Sequence, residues 1–253
     1  MRDNFSCRAS QRRLPYSLPR KSLLFSLPKR DAATGKPVAL HNGAMTARRA
    51  GGPNDLILGI SGASGSRLAL RALRLFSASP DVERLHVVVS PRALVVARDE
   101  LDASITSADS FLGAAEIGAD VRDKLVLHSE SAIDAPISSG SYKTRGMAVL
   151  PCSAGTLAAI AHGTSRGLLQ RAADVCLKER RRLILGLRET PLSLVHAENI
   201  VAATRAGAIV APPVPAFYAA RSAEEMLDAY LTRVADLLDV AVDTAGFRWT
   251  GAR

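Results

Sequence analysis

Along most of this chain, apolar runs of strand length alternate with amphipathic stretches of helix length, and that alternation leaves few folds open. Leu56–Ile60, Leu85–Val89, Met147–Leu150 and Leu183–Leu187 are nearly continuous hydrophobic runs. They are too short for helices and too evenly apolar for strands with one wet face, so they read as strands buried on both sides. Leu125–His128 and Gly207–Ala211 are weaker runs of the same kind. Helical periodicity follows over Leu68–Phe76, Pro91–Leu101, Ala108–Ile117, Leu157–His162, Leu168–Leu177, Leu192–Arg205 and Ala223–Val242. Strands each followed by a helix predict an α/β fold with a parallel sheet covered on both faces. No internal repeat is visible, and the 253 residues, 47% of them hydrophobic, suffice for one core.

The formal charge of +9 at first suggests a nucleic-acid partner, but it is concentrated at one end. Residues 1–50 carry eleven Lys and Arg against two acids, which leaves 22 against 22 in the remainder. A neutral folded part lacks the basic face of a duplex binder, so no nucleic-acid role is expected. Residues 1–52 therefore read as a basic, disordered extension, with an organellar transit peptide or an upstream extension of a frame starting at Met45 as the other readings. Prolines 15, 19 and 28 interrupt the helix a transit peptide favours. The folded domain is expected over 53–242, with a tail over 243–253. Cys7, Cys152 and Cys176 show neither pairing nor metal-ligand spacing, which fits a reducing, cytoplasmic compartment, or a mitochondrial one if the extension is a transit peptide. No run approaches the ~20 apolar residues of a membrane span.

The chemistry-bearing residues gather where the strands end. Gly59-Ile60-Ser61-Gly62-Ala63-Ser64-Gly65-Ser66 joins a strand to a helix, and unpaired N–H groups there make an anion site. The second strand ends in Ser90, without the acid that holds an adenosine ribose, so a mononucleotide fits better than NAD. Neither Ser61 nor Ser64 sits in a nucleophile elbow. Ser153-Ala154-Gly155-Thr156 offers further donors after the strand ending near Leu150, and Cys152 reads as a buried or lining thiol because no histidine is placed near it in sequence to activate it. From Arg171 to Pro191 a cationic helix leads into a strand ending in Arg188-Glu189, which suits a phosphorylated substrate undergoing proton transfer. Pro212-Pro213-Val214-Pro215-Ala216-Phe217-Tyr218 stiffens a loop bearing two aromatics, and the sole tryptophan, Trp249, lies in the tail. Histidines 41, 86, 128, 162 and 196 have no ligand spacing.

GISGASGS at 59–66, ISSGS at 137–141, LPCSAGT at 150–156, RAADVCLKERR at 171–181, RETP at 188–191 and PPVPAFY at 212–218 occur in this order. With them the chain resembles the flavin prenyltransferase family of the UbiX type over roughly Asp55 to Arg233, with a short echo at Arg248-Trp249. The resemblance implies a flavodoxin-like Rossmann fold and a homo-oligomer, usually a dodecamer, with sites at subunit contacts. It implies transfer of a dimethylallyl group from dimethylallyl phosphate to N5 and then C6 of reduced FMN, without metal, to supply UbiD-type decarboxylases. Carried over by motif, Gly62, Ala63, Ser64, Ser90, Ser153, Ala154, Gly155, Thr156 and Arg188 would hold FMN. Tyr218, Arg233, Arg171 and Lys178 would bind the donor, and Glu100 matches an acid near the phosphate. Glu189, assisted by Ser64, would handle the proton, and Trp249 would offer a π face to the allylic cation.

Two positions depart from the family pattern: the loop after Tyr218 is one residue shorter, and Pro91-Arg92 stands where Lys-Ala is common. Two alternatives are a flavin-dependent cysteine decarboxylase of the same fold and a non-catalytic FMN-binding subunit. The first carries a His base and a P-x-M-N-type motif not seen here, and the intact Lys178, Glu189 and Tyr218 speak against the second.

Overall fold

A computed structural model describes residues 52–217 and 222–244. Tyr218, Trp249, the basic segment and most of the tail lie outside the described residues. β1 (Asp55–Ile60), β2 (Arg84–Val89), β3 (Leu125–His128), β4 (Gly146–Cys152), β5 (Arg182–Leu187) and β6 (Ile209–Val210) form one sheet in the order β3-β2-β1-β4-β5-β6. Every pairing is parallel. Without the half-buried edge strand β3, the order is that of flavodoxin-like sheets, and the chain reverses direction across the sheet between β1 and β4.

β1 and β4 are buried along their whole lengths, which is why they lack polar alternation. One face of the sheet is covered by α1 (Ser66–Ala78), α2 (Pro91–Glu100), α3 (Ala108–Gly113) and α8 (Ala223–Leu238), with Phe76, Phe111, Leu73 and Leu231 fully buried among them. α5 (Ala154–Ala161), α6 (Leu168–Lys178) and α7 (Leu194–Ala206) cover the other, through Leu157, Leu169, Ala172, Cys176 and Ala203. Each large apolar side chain so buried contributes about 1.5–3 kcal/mol. A short α4 (Ala119–Arg122) precedes β3.

Several sequence-based boundaries shift for local reasons. The helix expected over 108–117 stops at Gly113, and Glu116 has a left-handed φ of 48°. The last helix ends at Leu238 because Asp239 turns left-handed (φ 60°), although the apolar pattern runs on to Val242. The strand expected over 207–211 shortens to two residues, since Pro212 and Pro213 have no N–H with which to extend the ladder. The helix expected from Leu157 begins three residues earlier, with Ser153 accepting from the Thr156 N–H as its cap.

At the amino end of the sheet, buried Asp55 accepts from the Tyr142 hydroxyl (2.8 Å) and from Arg84 Nε (3.1 Å). His86 touches Tyr142 through Nε2 (3.1 Å) and His128 through Nδ1 (2.9 Å). Burial pushes the Asp55 carboxyl up, but the bonds to His86, Tyr142 and Arg84 outweigh it and hold the group below its ordinary value. Burial, then the neighbouring His86, lowers the His128 imidazole to about 4.

Candidate functional site

The carboxyl ends of β1, β2, β4 and β5 bring together four segments far apart in sequence. Ser61, at the end of β1, is buried; its Oγ donates to the Pro151 carbonyl (2.9 Å) and accepts from the Ser153 N–H (2.8 Å). This pair of bonds ties the Gly62–Ser64 turn to the start of α5. Ser90 N donates to the Ile60 carbonyl (2.9 Å), and Ser90 Oγ accepts from the Ala93 N–H (3.2 Å) to cap α2. Arg188, just beyond β5, donates from its N–H to the Cys152 carbonyl (2.9 Å) and from Nε to the Ser64 carbonyl (3.2 Å). Gly62, Ala63, Ser64, Ser90, Ser153, Ala154, Gly155, Thr156, Arg188 and Glu189 thus share one edge of the sheet, at the switch between β1 and β4 where open α/β sheets bind ligands.

At the start of α1, two of the N–H groups read as an anion site have a partner within the chain. Glu100, at the end of α2, accepts from the Gly65 N–H (3.0 Å) and the Ser66 N–H (2.7 Å), so an internal carboxylate already fills that helix terminus. Partial burial pushes Glu100 up, but the hydroxyl of Ser64 and the two backbone N–H groups outweigh this and hold it below the ordinary carboxylate range. Within the chain, Glu100 thus caps the start of α1.

The cationic helix does not lie beside Arg188-Glu189, contrary to the sequence reading. α6 runs antiparallel to the strands, so Lys178 and Arg182 stand at the amino end of β5 and Arg188 at its carboxyl end, roughly 20 Å apart for a six-residue strand. Lys178 pairs with its neighbour Glu179. Arg171 is held by Asp174 (2.7 Å) and by the Ser138 carbonyl (3.1 Å), and Arg181 donates to the carbonyls of Gly140 and Tyr142 (both 2.7 Å). The ISSGS segment is thus clasped by α6 and the turn after it. Arg233 is exposed on α8, on the opposite face of the sheet from α6. Within one chain, Lys178 stands at the far end of the sheet from the Gly62–Ser64 turn, whereas Arg171, in the first turn of α6, lies toward the carboxyl edge.

Glu189 is exposed and accepts from the N–H of Thr190 (3.1 Å). Cys152 is fully buried, with its thiol pushed up to about 12 by burial, which agrees with a lining rather than a reactive role. Two contributors escaped the sequence reading. Ser61 was visible only as part of the glycine-rich turn, and nothing local marks it as the bridge to β4. Arg92 packs against Gly62: a Cβ on that glycine would stand 2.4 Å from Arg92 Cβ.

The fold defines a flavodoxin-like α/β protein, with these segments gathered at the switch point of its sheet. The Flavoprotein family matches residues 45–246. The chain is 42% identical over 199 residues to flavin prenyltransferase UbiX of Escherichia coli K12, covering 78% of this chain and 98% of that protein. It is 40% identical over 205 residues to a probable UbiX-like flavin prenyltransferase of Bacillus subtilis, covering 81% and 93%. The solved structure of AnUbiX in complex with FMN and dimethylallyl pyrophosphate superimposes with a TM-score of 0.68 at 41% identity, covering 79% of this chain and 99% of that one. A dodecameric FMN-dependent UbiX-like decarboxylase from Escherichia coli O157:H7 gives 0.67 at 37%, covering 78% and 100%. The chain belongs to the flavin prenyltransferase family.

Proposed function

We propose that this protein joins a dimethylallyl group from dimethylallyl phosphate to reduced FMN, at N5 and then C6, making prenylated FMN for a UbiD-type decarboxylase. The observation that carries the reading is the meeting of the Gly62–Ser64 turn, Ser90, the Ser153 cap and Arg188 at one sheet edge. That edge fits a flavin mononucleotide. A Cβ at Gly155 would meet no atom within 4 Å, so space is open over the first turn of α5. The capped starts of α2 and α5 and the Arg188 guanidinium supply positive potential for a phosphate.

In this reading Gly62, Ala63, Ser64, Ser90, Ser153–Thr156 and Arg188 hold FMN. When bound and reduced, FMN supplies the two nucleophilic ring atoms. Ser153 and Ser90 are immobilised by their capping bonds and so present fixed dipoles. Glu189, one residue beyond Arg188, accepts the proton released when the second bond forms, and Ser64 assists it. Arg171, Lys178, Tyr218 and Arg233 match the negative charge that builds on the departing phosphate, and Trp249 faces the allylic cation.

Because Lys178 stands at the opposite end of the sheet from the turn, a further copy of the chain supplies it in this reading. The homo-oligomer also explains why Leu192, Leu194 and Val195 at the start of α7, and Val214 and Phe217 in the proline loop, are 51–77% exposed, since a second copy would cover them. A dodecamer and a cytoplasmic setting accompany this proposal; Cys152 and Cys176 are free thiols, and no helix among the described residues is long and apolar enough to cross a membrane.

The test is anaerobic incubation with reduced FMN and dimethylallyl phosphate or diphosphate, followed by mass spectrometry of the released flavin. A flavin heavier by one dimethylallyl unit supports the reading. An unchanged mass with FMN demonstrably bound points instead to a carrier.

A further inference from the structure

We infer that Arg92 is a further phosphate-recognition residue of this site, supplying the charge by which it selects FMN over a flavin without phosphate. The inference rests on the FMN reading above. Arg92 is the second residue of α2, and its stem lies against the flavin turn: a Cβ on Gly62 would stand 2.4 Å from Arg92 Cβ and 3.0 Å from its carbonyl carbon. Its side chain is exposed and makes no ion pair or hydrogen bond with any described residue. Arg188, also beside the turn, already spends Nε on the Ser64 carbonyl.

On the α1 and α2 side of this edge, several backbone donors are already used or missing. Gly65 and Ser66 give their N–H groups to Glu100. Pro91 has none, and the Ala93 N–H is bonded to the Ser90 carbonyl (2.9 Å) and hydroxyl (3.2 Å). The Glu100 carboxylate beyond the turn repels a dianion. A phosphate lying on this side draws on a side-chain cation, and a guanidinium donates to phosphate in bidentate fashion.

Fluorescence quenching of FMN and of riboflavin by the purified full chain, with Arg92→Ala and Arg92→Lys beside the wild type, tests this. Alanine keeps the Cβ that packs on Gly62, so the turn is preserved. Arg92→Ala should weaken FMN about tenfold or more while changing riboflavin less than about twofold, and Lys should recover part of the loss. The salt dependence of FMN binding should also flatten in the alanine variant. Equal losses for both flavins, or unchanged FMN affinity, overturn the role of Arg92. A wild-type chain that binds neither flavin overturns the FMN reading itself, and this inference with it.

Discussion

The carboxylate of Glu100 lies 2.7 Å from the backbone nitrogen of Ser66, so the last residue of α2 caps the first turn of α1. A helix whose own N-cap, Gly65, has no side chain is thereby supplied with an acceptor from 34 residues away.

Removing that acceptor should loosen the turn. Glu100→Ala is expected to cost about 1–2 kcal/mol, as lost caps do, read as a lower midpoint in urea at pH 7. The Glu100 carboxyl is held below its ordinary value of 4.5, so its stabilising contribution is present above that pH and fades as pH falls through the lower folded value. The difference between wild type and variant should therefore shrink below pH 4.5. A gap that persists unchanged to pH 3 contradicts this account.

The His86–His128 pair sets a second pH dependence of the opposite chemical kind. His128 titrates at about 4 in the fold against 6.5 when free, so the unfolded chain takes up its proton first as pH falls. Stability should be full above pH 6.5 and decline between 6.5 and 4, by about 1–2 kcal/mol once partial exposure is allowed for. In His128→Asn that part of the slope should be absent from a pH series of urea melts.

Gly62 leaves no room for a methyl group against Arg92. Gly62→Ala should push the turn off the start of α2, costing about 1–3 kcal/mol by overpacking and weakening FMN in a quenching titration. If Gly62→Ala binds FMN as the wild type does, the turn is not part of the flavin seat.

Sites shared between copies can be tested by mixing variants. Glu189→Gln should retain FMN and lose prenyl transfer, since it keeps shape and removes a proton acceptor, and Lys178→Ala should lose transfer through the donor. Neither variant alone is expected to turn over, whereas co-assembled oligomers should regain a measurable fraction, because some sites receive Glu189 from one copy and Lys178 from another. Complementation absent in verified mixed oligomers would place both residues in one chain's site, against the geometry.

How much could be read beforehand differs from segment to segment. Leu56–Ile60 and Leu183–Leu187 were legible because a strand buried on both faces needs unbroken apolar residues. The helix ends were less so, since Asp239 and Glu116 take left-handed backbone that no hydrophobic pattern announces. Local sequence also marked the glycine turn, Ser90, the Ser153 turn and Arg188, each sitting directly after a strand. It misplaced Lys178 relative to Arg188, because nearness in sequence across a strand means a full strand length in space.

By itself, then, the sequence determined the alternation of elements, the parallel sheet and the residues at its carboxyl edge, because burial and backbone hydrogen bonding act over a few neighbouring positions. Only the tertiary structure decided that Glu100 closes the start of α1, that Ser61 joins β1 to β4, that Arg92 rests on Gly62, and that α6 and α8 carry their cations on opposite faces of the sheet. Those relations depend on how the strand order folds distant segments together, and no short-range pattern of residues encodes such distances.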